Sequence, residues 1–253
     1  LSGKVISVAN QKGGVGKTTT AVNLAACLAA ANRRSLLIDL DPQGNSTSGL
    51  GISKNGDLTT SYEVLMGDVE AQQAVLPTDI ENLFIMPANI DLAGAEVELV
   101  GEIARELKLR KAIKSLVSFY DFILIDTPPS LGLLTVNGLA CADSVIIPIQ
   151  CEYYALEGLT DLLHTIERIR ESLNPALELE GILLTMYDSR TRLSDQIVAE
   201  VRRHFGGKVF QTVIPRNVRL SEAPSFGKPI ITYDVLCRGA ETYLTFTEEF
   251  LKR

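Results

Sequence analysis

The stretch QKGGVGKTTT, residues 11–20, constrains this chain more than any other. Within it, GGVGKTT has the form of a phosphate-binding loop, preceded by the apolar run VISVA (5–9) and followed by the helical stretch TTAVNLAACLAAA (19–31). Strand, glycine loop and helix in that order are the context in which the motif has a mechanism. The glycines Gly13, Gly14 and Gly16, with Val15 between them, let backbone N–H groups curl around phosphate oxygens. The start of the helix, at Thr18 and Thr19, adds partial positive charge. Lys17 is spaced to reach β- and γ-phosphates, and the Thr18 hydroxyl to ligate Mg²⁺. A second lysine, Lys12, stands directly before the first glycine, although Lys17 already serves the phosphates.

Apolar, β-branched runs recur along the chain at 5–9, 35–40, 83–87, 122–127, 144–149, 181–186 and 209–214. Several are continuously apolar, the mark of strands covered on both faces. Helical patterns over 19–31, 102–117, 131–142, 155–173, 193–205 and about 239–252 alternate with them. The alternation predicts right-handed βαβ units and a P-loop NTPase of the α/β class: a mostly parallel twisted sheet with helices on both faces. No repeat or low-complexity linker interrupts the 253 residues, so one domain over 1–253 is expected, with no further domain before the loop.

Composition narrows the surroundings. No apolar run approaches bilayer length and the start carries no signal-peptide pattern, which predicts a cytoplasmic protein. Cys27, Cys141, Cys151 and Cys237 are scattered without a CxxC pair, as expected of reduced thiols rather than a zinc or cluster site. Net charge is −7, which speaks against a nucleic-acid partner until its distribution is considered. Residues 181–230 hold eight basic and four acidic residues, leaving all the excess negative charge elsewhere.

Two further segments carry chemistry. FILIDTPPS (122–130) describes a buried strand delivering Asp126 at its C-terminal end, the edge where α/β proteins bind ligands. There Asp126 can hold Mg²⁺ directly or through water. LLIDLDPQGNST (36–47) offers Asp39 and Asp41 at the end of another strand. Asp41 has two readings: a carboxylate that faces a γ-phosphate and orients water, or an Asx-turn before Pro42.

KGGVGKTT with its leading lysine, DLDPQGN, IDTPPSLG and IPRNVRLSEAPSFGKPI together resemble the ParA/Soj family of partitioning ATPases. That family belongs to the deviant Walker A group, with MinD and the nitrogenase iron protein as relatives. The likeness runs from about residue 4 to 250, and QCEYYALEGL (150–159) also looks like this family rather than its relatives. The resemblance implies a role for each motif. Lys12 becomes the signature lysine that reaches across an ATP-dependent homodimer to phosphates bound by the other subunit. Asp41 activates water, Thr18 and Asp126 hold magnesium, and Pro215 and Asn217 lie at the adenine. Arg190 and Arg219 match positions used for non-specific binding of double-stranded DNA.

The resemblance thus implies an ATPase that binds ATP, dimerises on nucleoid DNA and releases it when a ParB-like partner stimulates hydrolysis. A MinD-like membrane ATPase is the alternative, and it needs a basic amphipathic helix near the C-terminus. ETYLTFTEEFLKR (241–253) sets Glu241, Glu248 and Glu249 against Lys252 and Arg253, so no membrane partner is expected. A metabolic P-loop enzyme or cluster-carrying reductase lacks a supporting motif. The helix-turn-helix domain of larger partitioning relatives is not expected within these 253 residues.

Overall fold

The computed structural model describes residues 3–54, 56–152 and 155–253; Tyr153 and Tyr154 of the QCEYYALEGL stretch lie outside the described residues. Eight strands form one sheet: β1 (Lys4–Val8), β2 (Ser35–Asp39), β3 (Leu76–Pro77), β4 (Leu83–Met86), β5 (Phe122–Asp126), β6 (Ser144–Gln150), β7 (Glu178–Tyr187) and β8 (Val209–Pro215). Their order is β3-β4-β2-β5-β1-β6-β7-β8, and only β3 runs antiparallel to its neighbour. The seven predicted runs are the seven parallel strands, and the fold is the expected one. Sequence patterning did not reveal β3, a two-residue strand.

Alternate residues of each strand feed two separate cores, which is why the runs read as continuously apolar. Ile6, Val8, Leu37, Leu124, Ile146 and Leu183 face one side, where the helices Lys17–Ala30 and Arg238–Leu251 lie. Val5, Leu36, Ile38, Ile123, Ile125 and Ile147 face the other, packed by the helices Leu133–Cys141, Ala155–Ser172 and Arg192–Phe205. Tyr243, Phe246 and Phe250 commit the apolar face of the helix Arg238–Leu251 to the first core. None of the helices in the described residues is long and apolar enough to cross a membrane.

The expected helix over 102–117 is instead a chain of short turns, with the helix Lys108–Ala112 between 3₁₀ segments at Arg105–Leu107 and Ile113–Ser115. The cause is Asn137. Its amide nitrogen donates to the Arg105 carbonyl (2.8 Å) and its oxygen accepts from the Leu109 amide (3.1 Å). Those two groups are each other's partners in a regular α-helix, so a buried side chain has entered the ladder and opened it.

Both edges of the sheet are closed to further pairing. At one, β3 is two residues long and ends in Pro77. At the other, the ladder between β7 and β8 is irregular, and side chains take up the groups it leaves. Glu249 accepts from the amides of Gln211 (2.6 Å) and Thr212 (2.8 Å), while Arg202 donates to the Gln211 carbonyl (2.8 Å).

Phe246 is fully buried, edge-on to Phe210 with ring centroids 4.8 Å apart. Phe246→Ala should therefore cost about 3–5 kcal/mol of stability. In urea unfolding the midpoint should fall while the slope stays near that of the unsubstituted protein. An unchanged midpoint would mean that this helix contributes little to the first core.

Candidate functional site

Because the sheet is parallel, the C-terminal ends of seven strands open on one edge. β5 lies between β1 and β2, so Asp126 at its end sits between the phosphate loop and the loop that carries Asp41. Asp39 and Asp126 are register partners on adjacent strands.

The loop itself has the expected backbone. Gly14 and Gly16 take left-handed φ values of 73° and 87°, a region open to glycine at little cost, and Gly16 caps the helix Lys17–Ala30. Val15 anchors the loop: its side chain is buried, and its carbonyl accepts from the Thr185 hydroxyl at 2.8 Å. Asn10 pins the approach from β1, donating to the Pro148 carbonyl (2.7 Å) and accepting from the Lys12 amide (2.9 Å).

Lys17 is buried beneath the loop and its ammonium donates to the Lys12 carbonyl at 2.9 Å. Burial lowers its pKa, and the charges of Asp126 and Asp41 oppose that shift. Lys12 behaves differently. Its ammonium lies 3.6 Å from Glu152 at the end of β6, with both side chains about half exposed. One lysine thus faces its own loop and the other faces outward.

Asp126 is fully buried. Its Oδ2 accepts from the Ser46 hydroxyl at 2.8 Å, and its Oδ1 is buried without a hydrogen-bond partner. Burial and then the neighbouring charge of Asp39 push its pKa up, while the nearby Ser46 and Thr18 hydroxyls favour the ionised form. Asp39, also fully buried, is raised mainly by burial. It accepts from the Asp41 amide (3.1 Å) and from the amide and hydroxyl of Thr47 (2.9 and 2.8 Å). Asp39 therefore braces the loop that presents Asp41. Asp41 accepts from the Gln43 amide at 2.9 Å, so the Asx-turn is present, and its charge also reaches Lys17.

The orphaned oxygen of Asp126 beside the Thr18 hydroxyl fits a small divalent cation, which would answer an acceptor the fold leaves unmet at the site. Among the described residues, no group of three His, Cys, Asp or Glu side chains is arranged to hold a metal alone. That suits magnesium, which is usually bound by one or two protein oxygens together with substrate phosphates.

Beside the loop, a cavity of about 350 Å³ is lined by Gly16, Thr19, Pro215, Asn217 and Tyr243 among others. It brings the two predicted adenine residues to the phosphate loop. The Asn217 amide is partly committed, however, because its oxygen caps the helix Val218–Glu222 by accepting from the Arg219 amide at 2.9 Å.

Arg190 and Arg219 stand apart from the loop, each already paired. Arg190 makes a two-pronged contact with Asp188 (2.9 and 2.7 Å). Arg219 bonds Glu222 at 2.9 Å and lies 3.3 Å from Asp234. Sequence reasoning assigned no role to Ser46, Thr47, Glu152 or Thr185. Thr185 alone carried a signal, as a polar residue inside the apolar run GILLTM (181–186).

Comparison with known proteins agrees with this geometry. Residues 3–179 match a family model described as an AAA domain. The chain is 58% identical to the chromosome partitioning protein ParA of Myxococcus xanthus, over 99% of this chain and 89% of that protein. It is 57% identical to the sporulation initiation inhibitor protein Soj of Bacillus subtilis, over 98% of each. Among solved structures, it superposes with a TM-score of 0.87 on a Mycobacterium smegmatis protein described as cobyrinic acid a,c-diamide synthase, with bound ADP and magnesium. That protein is 41% identical, with 99% of this chain and 94% of that one covered. Near-complete matches to partitioning proteins, over a phosphate loop flanked by Asp41 and Asp126, settle the assignment: the chain belongs to the ParA/Soj family of chromosome-partitioning ATPases.

Proposed function

We propose that the whole chain, residues 1–253, acts as one deviant Walker A ATPase domain that binds ATP with magnesium and works as an ATP-dependent dimer on DNA. The observation that carries this reading is the convergence of Lys17, Asp41 and Asp126 at the tips of β1, β2 and β5. ATP enters with its phosphates against the amides of residues 13–19. Lys17 exchanges the Lys12 carbonyl for phosphate oxygens, and its charge is kept by Asp126 and Asp41. Thr18 and Asp126 are the residues that would hold magnesium, which when bound neutralises charge on the phosphates. Asp41 orients the attacking water and draws off its proton, held in place by Asp39 and Thr47. Pro215 and Asn217 border the adenine.

Lys12 serves the partner subunit. Its outward position and weak, half-exposed contact with Glu152 leave it available to a second phosphate chain. Two lysines on one triphosphate suit the charge that develops during hydrolysis. In this reading the dimer binds double-stranded DNA through Arg190 and Arg219 without regard to sequence, and a ParB-like protein stimulates hydrolysis and release. The protein is then cytoplasmic and associated with the nucleoid. Arg190 and Arg219 are paired with acids in the single chain, so phosphate must displace those acids, and because each phosphate contact releases counterions, DNA binding falls steeply as salt rises.

Three substitutions test the assignment. Lys17→Ala should weaken ATP binding about 10- to 100-fold, the worth of a hydrogen bond from a charged donor, in a nucleotide titration. Near-normal affinity would reject the loop. Lys12→Ala with ATP should sediment as a monomer, as should the unsubstituted protein without nucleotide; a stable dimer in either sample sinks the role in trans. Asp41→Ala should bind ATP and dimerise yet hydrolyse about 10²- to 10⁴-fold more slowly. Hydrolysis at the unsubstituted rate would leave Asp41 as a turn residue only.

A further inference from the structure

Arg190 projects beside a surface cleft of about 330 Å³ whose lining includes two arginines that no motif singled out, Arg216 and Arg238. They come from three separate places: Arg190 follows β7, Arg216 follows β8, and Arg238 opens the helix Arg238–Leu251. The fold therefore brings them together from distant points in the sequence. Asp188 is the one carboxylate in the lining, and Arg190 already neutralises it. Among the described residues neither Arg216 nor Arg238 forms an ion pair. The net positive charge of the cleft thus comes from Arg216 and Arg238, while Arg190 is compensated by Asp188. A guanidinium presents a rigid fork of donors that matches the oxygens of a phosphate.

The cleft also adjoins the nucleotide cavity. Pro215 and Arg216 line both, and the Arg216 amide is tied to the Tyr187 carbonyl at 2.9 Å, at the base of the loop that carries Arg190. We propose that Arg190, Arg216 and Arg238 form one cleft for a backbone phosphate of double-stranded DNA, with Arg216 and Arg238 supplying its uncompensated charge and the Pro215–Arg216 wall joining it to the nucleotide cavity. This rests on the DNA-binding reading above and extends it to two residues. The same chemistry suits a phosphate of ATP, because Arg216 borders both spaces, and the test has to separate the two sources.

The full chain, with magnesium and a non-hydrolysable ATP analogue, is titrated with a short duplex of arbitrary sequence between about 50 and about 200 mM salt. Each lost phosphate contact lowers the slope of log affinity against log salt by about 0.9, and a dimer loses two. Arg216→Gln and Arg238→Gln should each lower the slope by about 1.8 and weaken binding at least about tenfold at 0.15 M salt. Arg216→Lys and Arg238→Lys, which keep the charge, should retain most of the slope. Asp188→Asn, which removes the acid competing for Arg190, should tighten binding, and it tests the cleft even if a glutamine variant misfolds. Dimerisation should stay unchanged throughout, and nucleotide affinity should stay unchanged in the Arg238 and Asp188 variants, which lie outside the nucleotide cavity. If Arg190→Ala or Arg219→Ala weakens DNA binding while both glutamine variants bind as before, Arg216 and Arg238 are no part of the DNA site: the proposal falls and the broader reading stands. If Arg216→Gln loses nucleotide and not DNA, the cleft serves ATP. Unchanged or weaker binding by Asp188→Asn also overturns the proposal. If the unsubstituted dimer binds no duplex, both the proposal and the DNA reading fall.

Discussion

Three carboxylates and one ammonium at the tips of three adjacent strands hold the rest of the arrangement in place. Asp39, Asp41 and Asp126 are each more than nine-tenths buried, as is Lys17. Charges so far from water persist only when donors and opposite charge surround them. The donors come from one short stretch after β2, a turn and the helix Asn45–Gly49: Thr47 to Asp39, Ser46 to Asp126, and Gln43 to Asp41. The opposite charge comes from Lys17, itself held by the carbonyl of Lys12. Strand order makes the cluster possible, because inserting β5 between β1 and β2 is what sets Asp126 beside Asp39. The phosphate loop and the Asp41 loop thus share one electrostatic balance, and a change at either is felt at the other.

How much of this was legible beforehand depended on range. The seven parallel strands were readable because each is an apolar run buried on both faces. The phosphate loop was readable because its chemistry lies within a few consecutive residues. The break in 102–117 was hidden because its cause, Asn137, belongs to a different helix that looks unremarkable in sequence. β3 was too short to have a period. In the site, the carboxylates stood out at strand ends, but the hydroxyls that satisfy them sit in NSTSG (45–49), where they read as an ordinary polar loop. The pairing of Arg190 with Asp188 joins residues two positions apart, a range that sequence can read. The meeting of Arg216 with Arg238 was not legible, since 22 positions and a bend in the chain separate them.

The structural comparison marks the limit of fold as a guide to activity. A backbone with a TM-score of 0.87 to this one carries the description of a diamide synthase, while the partitioning relatives are closer in sequence. A shared sheet and phosphate loop supply nucleotide chemistry to many tasks, and what distinguishes them lies in the residues at the rim. Here the rim includes Lys12 with Glu152 beyond β6, and the arginine cleft beyond β7 and β8.

The sealed sheet edges bear on how copies of a chain like this one can meet when they are crowded. Crowding brings strand rims together, and an open rim is a template on which a neighbouring chain can add and propagate into fibrils. Pro77 at one rim, and Glu249 with Arg202 at the other, already occupy or remove the hydrogen-bonding groups such growth would use. Helices and loops are left as the surfaces through which copies meet, and contacts of that kind close and reopen without rebuilding the fold.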